Sequence, residues 1–203
     1  MISAIVLAAG RSQRMGAFKP LLPFGKQTVI ESTIEYLRKG GVETVVVVLG
    51  HRAPEVLNRI GGLGVKFVLN PDPDSEMTAS IRAGIQKIPP SGATLITPAD
   101  LPAVPPSVVT TLISEWQNGS KLIIPTYENR GGHPVLIDLR YRAELQNLDP
   151  ARGLKALFAA HPGDVKRVPV DSPFIARDMD TWDDYHALHQ EVFGEPPPAA
   201  PKN

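Results

Sequence analysis

SAIVLAAGRSQRMGAFKPLLPFG, residues 3–25, carries most of what this chain discloses about itself. It begins as an apolar run of strand length, breaks at Ala8-Ala9-Gly10, and then places Arg11, Arg14 and Lys19 within one loop. Small residues where a chain leaves a strand let backbone N–H groups approach an anion without interference from Cβ. Guanidinium and ammonium groups then add charge-assisted bonds to phosphate oxygens. Such a loop is a candidate polyphosphate clamp, and a solvated basic loop is the plainer alternative. The two common phosphate templates, G-x-x-x-x-G-K-[ST] and G-x-G-x-x-G, both fail to fit it.

Outward from this stretch, short β-branched runs alternate with amphipathic ones, the pattern of βαβ units on a mostly parallel sheet. Strands are expected at residues 3–8, 43–49, 65–69, 94–97 and 121–125, with helices in the gaps. Thr28 and Glu31 have the spacing of a capping box, and Gly40-Gly41 can end the helix they start. Ser75 is expected to cap a second helix, Pro105-Pro106 to open a third, and Asp180 or Thr181 to cap the last. A turn at residues 128–132 leads into the apolar run HPVLI, and helical periodicity returns in GLKALFAAH.

The 203 residues, 42% hydrophobic, are enough for one buried core. Lys plus Arg and Asp plus Glu both total 21, so the formal net charge is zero and no global field draws nucleic acid or an anionic membrane. There is no cysteine, which excludes disulfides and thiolate chemistry. Apolar runs such as VVVVL are far shorter than the ~20 residues of a membrane span, and Met1 leads into an apolar strand without a basic segment, so a cytoplasmic location is expected.

LAAGRSQRMGAFKPLLPFG resembles the L-A-A-G-x-S-x-R-M-G-x-x-K-x-L-L signature of the MobA-like nucleotidyltransferases, in particular their molybdenum cofactor cytidylyltransferase branch. The resemblance runs from Ile2 to Glu191 with its motifs in order. It implies a Rossmann-like three-layer α/β sandwich of the nucleotide-diphospho-sugar transferase type. Residues 1–193 would form the nucleotidyltransferase domain and 194–203, rich in proline, a disordered tail. It also implies that Leu7, Ala8, Ala9 and Gly10 contact the triphosphate through their backbone, with Arg14 and Lys19 as phosphate-binding, catalytic cations.

Nucleotidyl transfer needs a divalent ion to neutralise charge on the α-phosphate and on departing pyrophosphate. LITPADLPAV ends an apolar strand at Asp100, where open α/β sheets bind ligands. The segment resembles the family's D-M-P or D-L-P motif, which implies a magnesium ligand and catalytic role for Asp100; a turn cap before Pro102 is the plainer reading. RDMDTWDDY resembles the family's D-I-D-T-P-E-D-Y segment, so Asp178 or Asp180 is expected to supply a second carboxylate, with Asp183 and Asp184 facing solvent.

LNPDPDSEMTASIRAGI resembles the family's N-P-x-x-x-x-G-M-x-x-S-x-x-x-G segment, which implies nucleotide contacts from Asn70 and from Ser80 at the base; Ser80 as a small packing residue is the alternative. NRGGHPVLI matches a G-H-P motif, which implies that Gly132, His133 and Pro134 lie on the second-substrate side, with glycines open to a ligand and His133 donating to a phosphate or pterin. Arg152 or Lys155 is a further candidate for holding that substrate's anion, whereas His186 and His189 are expected on the surface.

The expected activity is magnesium-dependent transfer of CMP from CTP to the phosphate of molybdopterin-bound molybdenum. The expected partners are CTP, the molybdenum cofactor and a recipient molybdoenzyme or maturation chaperone, with the protein a monomer that binds neither nucleic acid nor membrane. A GTP-using enzyme of the same cofactor, a sugar- or alcohol-phosphate nucleotidyltransferase, and a non-catalytic delivery protein are the alternatives.

Overall fold

The computed structural model describes residues 1–10, 15–70, 72 and 77–198. In chain order, its first half contains β1 (Ile2–Ala8), β2 (Pro23–Phe24), β3 (Gln27–Thr28), α1 (Val29–Lys39), β4 (Thr44–Leu49), α2 (Ala53–Ile60), β5 (Lys66–Leu69), α3 (Met77–Ile85) and β6 (Ala93–Pro98). The second half contains α4 (Pro106–Gln117), β7 (Leu122–Tyr127), β8 (Arg130–Gly131), β9 (Val135–Asp138), α5 (Arg142–Gln146), α6 (Leu154–Ala160), β10 (Val165–Pro169) and α7 (Trp182–Phe193).

The main sheet has the order β10-β7-β9-β6-β1-β4-β5, with β8 attached to β7. β1 pairs in parallel with both β4 and β6. After β1 the chain builds outward through β4 and β5, then returns to place β6 on the other side of β1. That reversal opens a crevice beyond the carboxyl ends of β1 and β6, the place where such sheets take ligands. Ala9 and Gly10 leave one of these ends and Asp100 the other.

All five strands expected from the sequence form; β1 and β4 do so as buried parallel strands that read as continuous apolar runs, β4 buried along five of its six residues, whereas β5 is a mostly exposed edge strand. β9 and β10 complete the sheet. β9 is antiparallel to both its neighbours, and β10 is an edge strand in which only Val168 is buried, so it carries little hydrophobic signal. Among the described residues no helix is long and apolar enough to cross a membrane.

Helices cover both faces. Ile30, Ile34 and Leu37 of α1, Val56 and Ile60 of α2, and Val109 and Leu112 of α4 form a core on one side. Ile81 and Ile85 of α3, Leu145 of α5 and Leu157 of α6 form the other. α1 starts at the anticipated capping box, where Thr28 N–H donates to the Glu31 carboxylate at 2.7 Å, and it ends before Gly41, which takes φ +104°.

A third cluster joins the two ends of the chain. Met15, Leu22, Phe24 and Val29 pack against Met179, Tyr185 and Leu188, and the Tyr185 hydroxyl donates to the Pro23 carbonyl at 2.6 Å. Here a sequence expectation is corrected: His186 is exposed, but His189 is buried. It completes the stripe Tyr185, Leu188, His189 at helical spacing. Its Nε2 accepts from Gly25 N–H at 3.2 Å and its Nδ1 donates to the Glu195 carbonyl at 2.7 Å. Thr181, not Asp180, caps α7, and Asp184 closes that capping box by accepting from Thr181 N–H at 2.9 Å instead of facing solvent freely.

Candidate active site

A cavity of about 240 Å³ occupies the crevice beyond β1 and β6. Leu7, Ala8, Ala9 and Gly10 line it together with Lys19, Asp100, Ser80 and Met77. Among the described residues, apart from Gly10 and its chain neighbours, no atom lies within 4 Å of where a Cβ on Gly10 would stand. Gly50 lets the next turn close over this loop, since a Cβ there would come within 2.6 Å of the Ala9 carbonyl oxygen. Arg14, the other expected phosphate cation, lies outside the described residues, as does the expected cap Ser75.

Lys19 is where distant parts of the chain meet. Its ammonium is 3.2 Å from the Asp100 carboxylate, 81 residues away, and 2.6 Å from that of Asp180, 161 residues away. The lysine side chain is only 9% exposed. Burial opposes its charge, but the bonds to Asp180 and Asp100 prevail and raise its pKa above the ordinary lysine value. Met179, fully buried in the third cluster, pins the irregular segment that delivers Asp180. Of the two expected carboxylates, it is therefore Asp180 that touches Lys19. Asp178 stands near enough to feel the cluster: burial first, then the charges of Asp180 and Asp100, hold its carboxyl above the usual aspartate range.

Among the described residues no three His, Cys, Asp or Glu side chains converge into a ready metal cage. Two carboxylates bonded to one ammonium, with Asp178 nearby, leave an excess of negative charge, which adds to burial in making Asp178 hard to ionise. Magnesium keeps several waters and takes one or two carboxylates plus substrate phosphates, so Asp100 and Asp180 suit it as a donor set.

Asn70 is not on the cavity wall. It stands behind Ser80, to which its Nδ2 donates at 3.0 Å, and both are buried. Ser80 thus does more than fill space between helix and sheet.

Beyond Met77 a groove of about 770 Å³ opens, lined by Gly132, His133, Arg152, Lys155, Phe158 and Arg167 among others. Met77 borders both spaces and is half-exposed between them. Among the described residues Arg152, Lys155 and Arg167 make no ion pair with a carboxylate, so this wall is uncompensated and suited to an anion. Arg167 was invisible from the sequence because it lies on β10, whose burial pattern gives no strand periodicity.

Two expectations for this side need correction. Pro134 is buried and absent from the groove wall. Gly132 is small for another reason than ligand access: a Cβ would meet the Ile175 carbonyl oxygen at 2.3 Å. The neighbouring His133 N–H donates to that carbonyl at 2.7 Å. Gly132→Ala is accordingly expected to lower stability by about 1–3 kcal/mol through overpacking, read as an earlier urea midpoint.

His133 also reverses its expected role. Burial lowers its pKa, against the opposing pull of the Ile96 carbonyl and Asp100, so the ring is neutral near pH 7. Its Nδ1 lies 3.3 Å from the Ile96 carbonyl oxygen, which can only accept, so Nδ1 carries the proton. In that tautomer Nε2 carries no proton, so it can accept an N–H but cannot donate to a phosphate.

Residues 4–168 match the MobA-like NTP transferase domain. The chain belongs to this family. It is an enzyme of nucleotidyl-transferase type, and its mixed sheet and crevice are those of the family's fold. It is 27% identical over 188 residues to the molybdenum cofactor cytidylyltransferase of Escherichia coli K12, covering 91% of this chain and 93% of that one. It is 28% identical over 196 residues to the nicotine blue oxidoreductase of Paenarthrobacter nicotinovorans, covering 92% and 96%. Among solved structures, the Rv0371c protein of Mycobacterium tuberculosis H37Rv in complex with manganese superposes with a TM-score of 0.79 at 28% identity, covering 94% of this chain and 99% of that one.

Proposed function

We propose that this enzyme transfers CMP from CTP to the phosphate of molybdopterin-bound molybdenum, releasing pyrophosphate and forming molybdopterin cytosine dinucleotide. The observation that carries the proposal is the Lys19 ammonium held between Asp100 and Asp180, with Lys19 and Asp100 lining the cavity beyond β1 and β6. A cation and acids gathered there serve charge redistribution on a triphosphate, which supports nucleotidyl transfer.

In this reading the loop from Leu7 to Gly10 and Lys19 hold the triphosphate, and Lys19 stays on the α-phosphate oxygens as negative charge builds there. Asp100 and Asp180 would hold magnesium, which supplies neutralisation of the leaving pyrophosphate. The acceptor's phosphate is already ionised at neutral pH, so no general base is required and the protein's work is alignment. A phosphate oxygen forms a bond to the α-phosphorus as the bond to pyrophosphate breaks. In the larger groove, Arg152, Lys155 and Arg167 hold the acceptor's anionic groups, and the neutral His133 accepts an N–H of the pterin. The relative named as a cytidylyltransferase supports the acceptor.

The test is magnesium-dependent pyrophosphate release from CTP and from GTP, each with and without molybdopterin-molybdenum. Release from CTP only when the pterin is present is the expected result. Faster release from GTP would move the base assignment to guanine. Release from neither, with folded protein and intact cofactor, would redirect the acceptor to sugar and alcohol phosphates.

A further inference from the structure

Asn70 follows β5 and is held through both its backbone and its side-chain oxygen. Its backbone N–H donates to the Leu49 carbonyl at 2.7 Å, and its Oδ1 accepts from Asp72 N–H at 3.0 Å. The second bond settles the orientation of the amide, because a backbone N–H needs an oxygen opposite it. Nδ2 is thereby turned toward Ser80 Oγ, 3.0 Å away, and it can only donate. The Ser80 proton, which Nδ2 cannot accept, is directed elsewhere, and among the described residues no second partner takes it. Ser80 lines the 240 Å³ cavity, while Asn70 does not.

We propose that Asn70 is a positioning residue that sets base selectivity by holding Ser80 as a hydrogen-bond donor to the bound base. This rests on the reading of that cavity as the nucleotide site. A donor there matches an edge that presents acceptors, such as O2 and N3 of cytosine. It opposes the N1–H and N2–H edge of guanine, whose donors need acceptors on the wall. The selectivity thus comes from a residue that does not touch the base. Its amide acts through the direction of a single hydroxyl.

Asn70→Asp tests this with almost no change of shape. Oδ1 keeps its bond to Asp72 N–H, but the other carboxylate oxygen now accepts the Ser80 proton, so the cavity faces only lone pairs of Oγ. Calorimetric binding of non-hydrolysable CTP and GTP analogues, with manganese and without acceptor, is the measurement. The ratio of CTP to GTP affinity is expected to fall by about tenfold or more, one good hydrogen bond reversed. Ser80→Ala, which removes the hydroxyl, is expected to weaken the CTP analogue severalfold.

Equal weakening of both analogues by Asn70→Asp would make Asn70 merely structural and overturn the proposal. If Asn70→Asp leaves the ratio unchanged while Ser80→Ala lowers CTP affinity, Ser80 contacts the base without direction from Asn70, which also overturns it. If Ser80→Ala changes nothing, or the wild-type protein binds neither analogue, the fault lies in the placement of the nucleotide itself.

Discussion

Asp100→Asn is expected to lower the rate of metal-dependent pyrophosphate release by roughly 10³-fold while leaving the fold intact. The amide keeps the volume and much of the hydrogen bonding of the carboxylate but loses the charge that a divalent ion needs. Asp100 is partly open to solvent, and Lys19 retains its 2.6 Å partner Asp180, so no buried cation is abandoned. Unfolding midpoints should stay close to wild type. A companion pair separates the two later acids. Asp180→Asn should approach the effect of Asp100→Asn, whereas Asp178→Asn, which removes a carboxyl not bonded to Lys19, should cost only a few-fold. Equal loss in both companions would mean that Asp178 is a ligand too, and full activity in the Asp100 variant would remove the metal assignment altogether.

Lys19→Met is expected to move two affinities in opposite directions. The lysine gives charge-assisted bonds to phosphate, so its loss should weaken binding of a CTP analogue by about 10–100-fold. In the ligand-free protein, however, its ammonium already neutralises Asp100 and Asp180, and an arriving metal ion must displace or share that charge. Methionine fills the same space without the charge. Manganese binding to the nucleotide-free variant, followed by electron paramagnetic resonance, should therefore tighten on the order of tenfold, because a positive charge a few ångströms from the ion has been removed. A variant that loses manganese as well as nucleotide would show that Lys19 orders the carboxylates rather than competing for them.

Much of the architecture was legible in one dimension because parallel strands covered on both faces are continuous β-branched runs. Gly-rich strand ends and the Thr28–Glu31 capping box are likewise short-range patterns. The resemblance added Asp100, Asp178, Asp180 and Ser80 as candidates without saying which of them meet. His189 was misread because an isolated histidine looks solvent-facing, although its spacing with Tyr185 and Leu188 placed it in a buried stripe. Gly132 lines the groove as expected, but a second demand on it was not legible. A glycine beside a suspected site suggests room for ligand, and only the position of Ile175, 43 residues further on, shows that protein backbone occupies the space.

From its residues alone, then, this protein could be assigned an α/β sheet, a basic glycine loop after its first strand and an acid at the end of another, since each depends on neighbours a few positions apart. The tertiary structure alone chose Asp180 as the partner of Lys19, put Asn70 behind Ser80, made His133 an acceptor and brought Arg167 to the groove. These depend on contacts between segments distant in the chain, formed when the C-terminal helix docks on the β2–β3 hairpin and the edge strands close the sheet, and no local pattern encodes which atoms such docking brings within 3 Å.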